Sequence, residues 1–182
     1  MENQKHSTQP THDIFSVIHS RKSVRNFTGE SVSKEQLDMI LKAAMAAPSA
    51  VNMQPWAFVV ITERKIMDLL ADILPFAKML YKAGAAICVC MIPEKAYEKR
   101  VEFAIMDCSA ASENILLSAE AMGLGAVWTA AEPWDELAEN VRKILGIPED
   151  ILPLNIIPIG HPTGEDIRKD KYKPENIHWG KW

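Results

Sequence analysis

"DCSAASENILLSAEAMGLGAVW", Asp107–Trp128, changes character at its glycines, and the change sets the middle of the fold. From Val101 onward, Ala104, Cys108, Ala111, Ile115, Ala119 and Met122 step by three or four, one helical face sustained over several turns. Gly123-Leu124-Gly125 caps that helix, and "AVWTA" reads as the strand that follows. Residues 108–112, Cys-Ser-Ala-Ala-Ser, carry little bulk, so another backbone, plausibly a second subunit's, can approach this long central helix closely.

Working outward, the neighbouring segments alternate between helical and strand signatures. Ile14, Val17 and Ile18 predict a short helix with Asp13 as N-cap. Ser33 with Gln36 three residues on forms a capping-box pattern, and Leu37, Ile40, Leu41 and Ala44 share one face until Pro48 ends the helix. "WAFVVIT" and "AAICVCMI" read as strands, with a helix over Arg64–Ile73 and a shorter helical segment after Pro75 between them. A helix from about Pro133 to Leu145 stops at Gly146, and "LPLNIIPIG" is the last strand. This order implies an α+β fold, a central sheet covered by helices. Residues 1–12 are polar and expected to be loosely ordered, leaving 13–182 as a single domain. The tail from 163 to 182 is basic in its middle and ends in tryptophans, which predicts an extended arm laid over protein, in a chain this small the partner subunit.

The chain has 182 residues, 48% hydrophobic and 24% charged, with a net charge of −4, enough for a proper core and no basic surplus for nucleic acid. No apolar run reaches the roughly 18 residues a bilayer span needs, so a cytoplasmic protein without a membrane partner is expected. Cys88, Cys90 and Cys108 sit among apolar or small neighbours and lack the company of histidines that a metal site would need. No metal is expected. No G-x-G-x-x-G fingerprint is present. His19, His161 and His178 flank loops, and each is read as a local hydrogen-bonding residue.

Four polar segments flanked by apolar structure stand out. Arg21, Lys22, Ser23 and Arg25 combine planar cationic forks with a hydroxyl, the chemistry that holds a phosphate monoester, or else a solvated surface cluster. "PSAVNMQPW", Pro48–Trp56, sets Ser49, Asn52 and Gln54 on a proline-stiffened turn that could read a flat heterocycle, or be a plain polar turn. "GLGAVWTAAEP" could turn strand-end amides toward a ligand, or be a helix cap and strand. "RKDKYK", Arg168–Lys173, taken alone, is a solvated charge run.

In this order the segments resemble the nitroreductase family of FMN-dependent oxidoreductases, with R-x-S-x-R, P-S-x-x-N-x-Q-P-W, G-L-G-x-x-W and a K-x-K tail ending in aromatics. The resemblance covers 13–182 and implies a nitroreductase-like α+β fold with a mostly antiparallel sheet, in an intertwined homodimer with embracing C-terminal arms. It implies that Arg21, Ser23, Lys169 and Lys171 grip the FMN phosphate, with a backbone contact from Lys22, and that Arg25 lies near the pyrimidine edge of the flavin. Asn52 and Gln54 match polar groups around that edge, and Pro48 and Ser49 line the ring. Trp128, Thr129 and Ala130 match the turn whose backbone faces the middle of the flavin.

The implied activity is ping-pong transfer of hydride from NADH or NADPH, through FMN, to a quinone, nitroaromatic or similar small acceptor. The flavin carries the chemistry, so no acid–base side chain is nominated as catalytic. Ala130-Ala131 stands where bacterial nitroreductases carry a Glu-Gly pair, which bears on the choice of acceptor. Phe76, Met79 and Tyr81 are candidates to cover the substrate. The competing expectations are a flavin-binding carrier, sensor or flavin-modifying protein without NAD(P)H turnover, and a structural dimer whose cations merely bind anions.

Overall fold

A computed structural model describes residues 13–131 and 135–182. The expectations for 1–12 and for a helix start at Pro133 lie outside those residues. The elements run α1 (Ile14–Ser20), α2 (Lys34–Met45), β1 (Trp56–Ile61), α3 (Arg64–Ile73), β2 (Ala85–Met91), α4 (Val101–Ala121), β3 (Gly125–Ala126), β4 (Thr129–Ala130), α5 (Asp135–Leu145) and β5 (Leu152–Gly160). The sheet order is β1-β2-β5-β3, with β4 also on β5, and every one of these pairings is antiparallel.

Local chemistry explains most boundaries. Ser33 accepts from the N–H of Gln36 while the Gln36 side chain accepts from the N–H of Ser33, so the capping box opens α2. Asp13 occupies the N-cap of α1 through its carbonyl alone, without a side-chain cap. After Pro75 the chain makes only a 3₁₀ turn, Lys78–Tyr81. The expected strand at "AVWTA" is broken in two at Val127-Trp128. Val127 donates to the carbonyl of Pro158 at 3.3 Å, but a proline has no N–H to return, so the ladder lapses there and resumes at Thr129.

The sheet lies between two helical layers. Ala85, Ile87, Val89 and Met91 of β2 face a core shared with α2 and α4, whereas Ala86, Cys88 and Cys90 face α3 and α5. This is the α+β architecture expected. The small residues of α4 serve packing within the chain itself: the Cys108 thiol points at the carbonyls of Pro55 and Cys90, and Ser112 receives a 2.9 Å bond from the Asn155 amide of β5. Burial pushes the Cys108 thiol up to about 12, so it stays protonated and takes no part in thiolate chemistry at neutral pH. Among the described residues no helix is long and apolar enough to cross a membrane.

Candidate functional site

The basic segment leaves α1 at Arg21, which caps the helix by donating its N–H to Val17 at 3.0 Å. An extended run follows in which Val24 and Phe27 are buried while Ser23, Arg25 and Asn26 stay exposed. Val24 donates to the carbonyl of Ala126 at 3.0 Å, and its side chain fills the space a Cβ on Gly125 would need, 2.5 Å from that position. The close approach that Gly125 allows is therefore taken up by Val24. The arrangement clamps residues 23–25 beside the β3 end of the sheet with their polar groups outward.

The C-terminal tail returns to the same place. Thr28 donates to the carbonyl of His161 at 2.9 Å and Thr163 to that of Asn26 at 3.0 Å, an antiparallel bridge centred on Phe27 and Pro162. Beyond it, Arg21, Lys22, Ser23, Arg25, Ile167, Lys169 and Lys171 line one cleft of about 260 Å³. Residues separated by some 140 positions thus form one cationic surface, the first and fourth segments of the sequence brought together. Arg21 is held from one side by Glu113 of α4, Nε to Oε1 at 3.2 Å.

Arg25 also lines a second cleft, of about 320 Å³, with Leu74 to Met79, Trp128, Thr129, Ala130 and Leu137. Its walls are mostly apolar, and the backbone of 128–130 is fixed by the β4–β5 ladder and by the Thr129 hydroxyl, which donates to the carbonyl of Ile156 at 2.7 Å. Phe76 and Met79 lie in this wall, as expected of a cover; Tyr81 instead turns its hydroxyl to Asp72, which holds the phenol above its usual range. Leu74, Lys78, Leu137 and Ile167 also line the clefts: Leu74 ends α3 and Leu137 lies on α5, where an apolar period reads as core, while Lys78 on its turn and Ile167 on the extended tail belong to no pattern.

Pro48, Ser49, Asn52 and Gln54 line neither cleft. Their turn is stiff in another way: Val51, Asn52 and Gln54 have φ of 49°, 59° and 52°, a left-handed backbone that non-glycine residues adopt at a cost. It is braced by the Ser49 hydroxyl, which accepts from the N–H of Gln54 at 3.0 Å, and by Asp107 of α4, which accepts from the N–H of Ala50 at 3.0 Å. The Gln54 amide donates to Asn52 Oδ1 at 3.2 Å. Of the histidines, His161 offers its carbonyl to Thr28, His178 stacks on Trp182 at 4.1 Å, and His19 stands exposed at the end of α1.

The nitroreductase family model matches residues 18–78 and 74–161. The chain belongs to the nitroreductase family. This nitroreductase-family chain is 39% identical over 170 residues to a protein of Methanothermobacter thermautotrophicus named "Putative NADH dehydrogenase/NAD(P)H nitroreductase", covering 93% of this chain and 88% of that one. A crystal structure of a protein of the same name from Parabacteroides distasonis superposes with a TM-score of 0.88 at 44% identity, over 94% of this chain and 99% of that one. An FMN-dependent nitroreductase from Clostridium difficile superposes with a TM-score of 0.84 at 26% identity, over 92% and 99%.

Proposed function

We propose that the protein is an FMN-dependent oxidoreductase of the cytoplasm that uses NADH or NADPH as electron donor. The observation that carries this reading is that Arg25 lines both clefts, so a cationic cradle and an apolar slot meet at one guanidinium. A ligand that joins a phosphate to a flat aromatic ring fits both parts. The donor set fits FMN: the basic cleft offers Arg21, Lys22, Ser23, Lys169 and Lys171, and among the described residues no acidic side chain lines it. Bound there, FMN would supply the redox chemistry, taking hydride from NAD(P)H and passing electrons to a quinone, nitroaromatic or similar acceptor by a ping-pong mechanism.

The residues of the chain do the rest. Arg21, Ser23, Lys169 and Lys171 hold the phosphate and Lys22 adds a backbone contact. Arg25 sets a fixed positive charge where the ring enters its slot, favouring the reduced, more negative cofactor. The backbone of Trp128, Thr129 and Ala130 forms the rigid floor of that slot, while Phe76 and Met79, which line it too, exclude water from a bound ring.

Pro48, Ser49, Asn52 and Gln54 act on the ring bound by the other subunit of a homodimer. Two features support this. Their strained, braced turn lines neither cleft of its own chain. Large apolar side chains stand exposed on α1 (Ile14, Phe15, Ile18) and α4 (Val101, Ile105, Met106), and Trp179 and Trp182 on the tail are almost fully exposed, more apolar surface than an isolated chain leaves uncovered.

The test is the visible spectrum of the purified protein supplied with FMN, before and after anaerobic NADH or NADPH. A bound-flavin spectrum that bleaches supports the reading. A flavin spectrum that persists would make the protein a flavin carrier, sensor or flavin-modifying protein. No uptake of FMN would leave an anion-binding structural dimer.

A further inference from the structure

The tail carries one acidic residue whose place differs from that of its neighbours. Asp166 is half-buried while residues 163–165 and 167–173 are exposed. Its Oδ2 accepts from two successive backbone N–H groups, those of Arg25 and Asn26, each at 3.0 Å, and its Oδ1 accepts from the Asn26 amide at 3.2 Å. Three donors converge on one carboxylate, and bonds of this kind, with an ionised acceptor, are roughly twice as strong as neutral ones.

The position along the chain gives those bonds a consequence. The Phe27–Pro162 bridge and the bond from Thr163 secure the tail only as far as residue 163. Gly164 follows with a φ of 95°, and Glu165 bonds only to Thr163. Among the described residues, the hydrogen bonds of 167–173 stay within the tail, from Tyr172 N–H to Asp170 and from Asn176 N–H to the carbonyl of Lys173. Asp166 is therefore the last tie to the body of the protein before Lys169 and Lys171, three and five residues further on. Its charge is directed at backbone donors of the first segment, so it holds the lysines near Arg21 and Ser23 without neutralising them.

We propose that Asp166 is a positioning residue for the phosphate of the cofactor, acting through Lys169 and Lys171. The inference rests on the FMN reading above. Pinning residue 166 raises the effective concentration of the two ammonium groups at the basic cleft; releasing it lets them spread over the volume that the segment beyond residue 163 can sweep. A residue that acted by general stability would affect the whole cofactor. One that acts through the lysines affects only the phosphate end.

The experiment compares FMN with riboflavin, which lacks the phosphate, as ligands of the intact protein and of Asp166→Ala and Asp166→Asn, by fluorescence titration. In parallel, trypsin cleavage after Arg168, Lys169 and Lys171 reads tail release without any flavin. Asp166→Ala should weaken FMN about tenfold, leave riboflavin within about twofold, and speed cleavage in the tail. Asp166→Asn can keep the two backbone bonds as neutral ones at its amide oxygen, and its NH2 can donate to Asn26 once that amide turns over, so its FMN loss should be about threefold. Unchanged FMN affinity, or an equal loss for riboflavin, with a wild type that binds FMN, overturns this inference and leaves the proposed function standing. A wild type that binds no FMN overturns both.

Discussion

The two clefts that meet at Arg25 are built by opposite means. The apolar one stands on the sheet: the backbone of Thr129 and Ala130 is tied into β5, and the side chains that face it from 74–79 hang from the buried anchors Leu74, Ala77 and Leu80. The basic one is made of exposed and half-buried side chains from two remote segments, joined by a single bridge at Phe27 and Pro162 and by Asp166. Local opening free energies follow buried contacts and protected hydrogen bonds, so the apolar cleft is preformed while the basic one is only as firm as its few ties. A cofactor that spans both would find its ring site ready and would itself order its phosphate site.

The sharpest way to break this comparison is to remove the tail. Ending the chain after Pro162 takes Ile167, Lys169 and Lys171 out of the basic cleft and leaves the lining of the apolar one intact. Retention of FMN through desalting should be lost entirely, and the proposed dimer should weaken in sedimentation because the cut removes the exposed Trp179 and Trp182. A yellow, stable truncated dimer would show that the ring site alone suffices. Next in size is Arg21→Ala combined with Lys171→Ala. Two charge-assisted contacts at about 1.5–3 kcal/mol each predict FMN affinity lower by a hundredfold or more. Loss of Arg21 also leaves Glu113 without its ion-pair partner. Thermal stability should barely move, since a partly exposed pair of this kind contributes about 0–1 kcal/mol.

The same contrast explains what could be read from the sequence. Regular burial leaves a period, and α2, α3, α4, β1, β2 and β5 follow the apolar pattern closely, down to the capping box at Ser33. The break at Val127-Trp128 depends on a proline thirty residues away on the paired strand, which no local pattern reveals. Within the site, Arg21 and Arg25 stand out as candidate phosphate-binding cations, whereas Lys169 and Lys171, alone a solvated charge run, stand out only through the ordered resemblance to the family. Asp166 does not, because an acid in a charged tail has the composition of a solvated face, and only the fold turns it toward two backbone N–H groups. The turn at 48–54 was legible as a polar turn, but its left-handed Val51, an unfavourable residue for that conformation, was not.

Salt offers a third, smaller lever. Going from ~0.01 M to ~1 M ionic strength shortens the screening length from ~30 Å to ~3 Å, and the cations of the basic cleft are exposed enough to feel it. FMN should bind about tenfold more weakly at the high end, with riboflavin within about twofold. If both flavins lose affinity alike, the basic cleft is not where the phosphate lies.

The smallest expected effect concerns the cover of the apolar cleft. Phe76 follows Pro75 on the connection from α3, is 77% exposed, and lines the cleft together with Trp128–Ala130. A ring that exposed contributes little to the core, so Phe76→Ala should not destabilise the fold. As a lining residue Phe76 can touch an acceptor that enters the cleft, where partial burial against an apolar ligand contributes on the order of 1 kcal/mol. The expected outcome is a KM for a quinone acceptor raised about fivefold, with kcat and FMN affinity within about twofold of wild type. Weaker FMN binding with an unchanged KM would move Phe76 from the acceptor to the cofactor, and the apolar cleft would then hold the ring more deeply than its backbone floor alone requires.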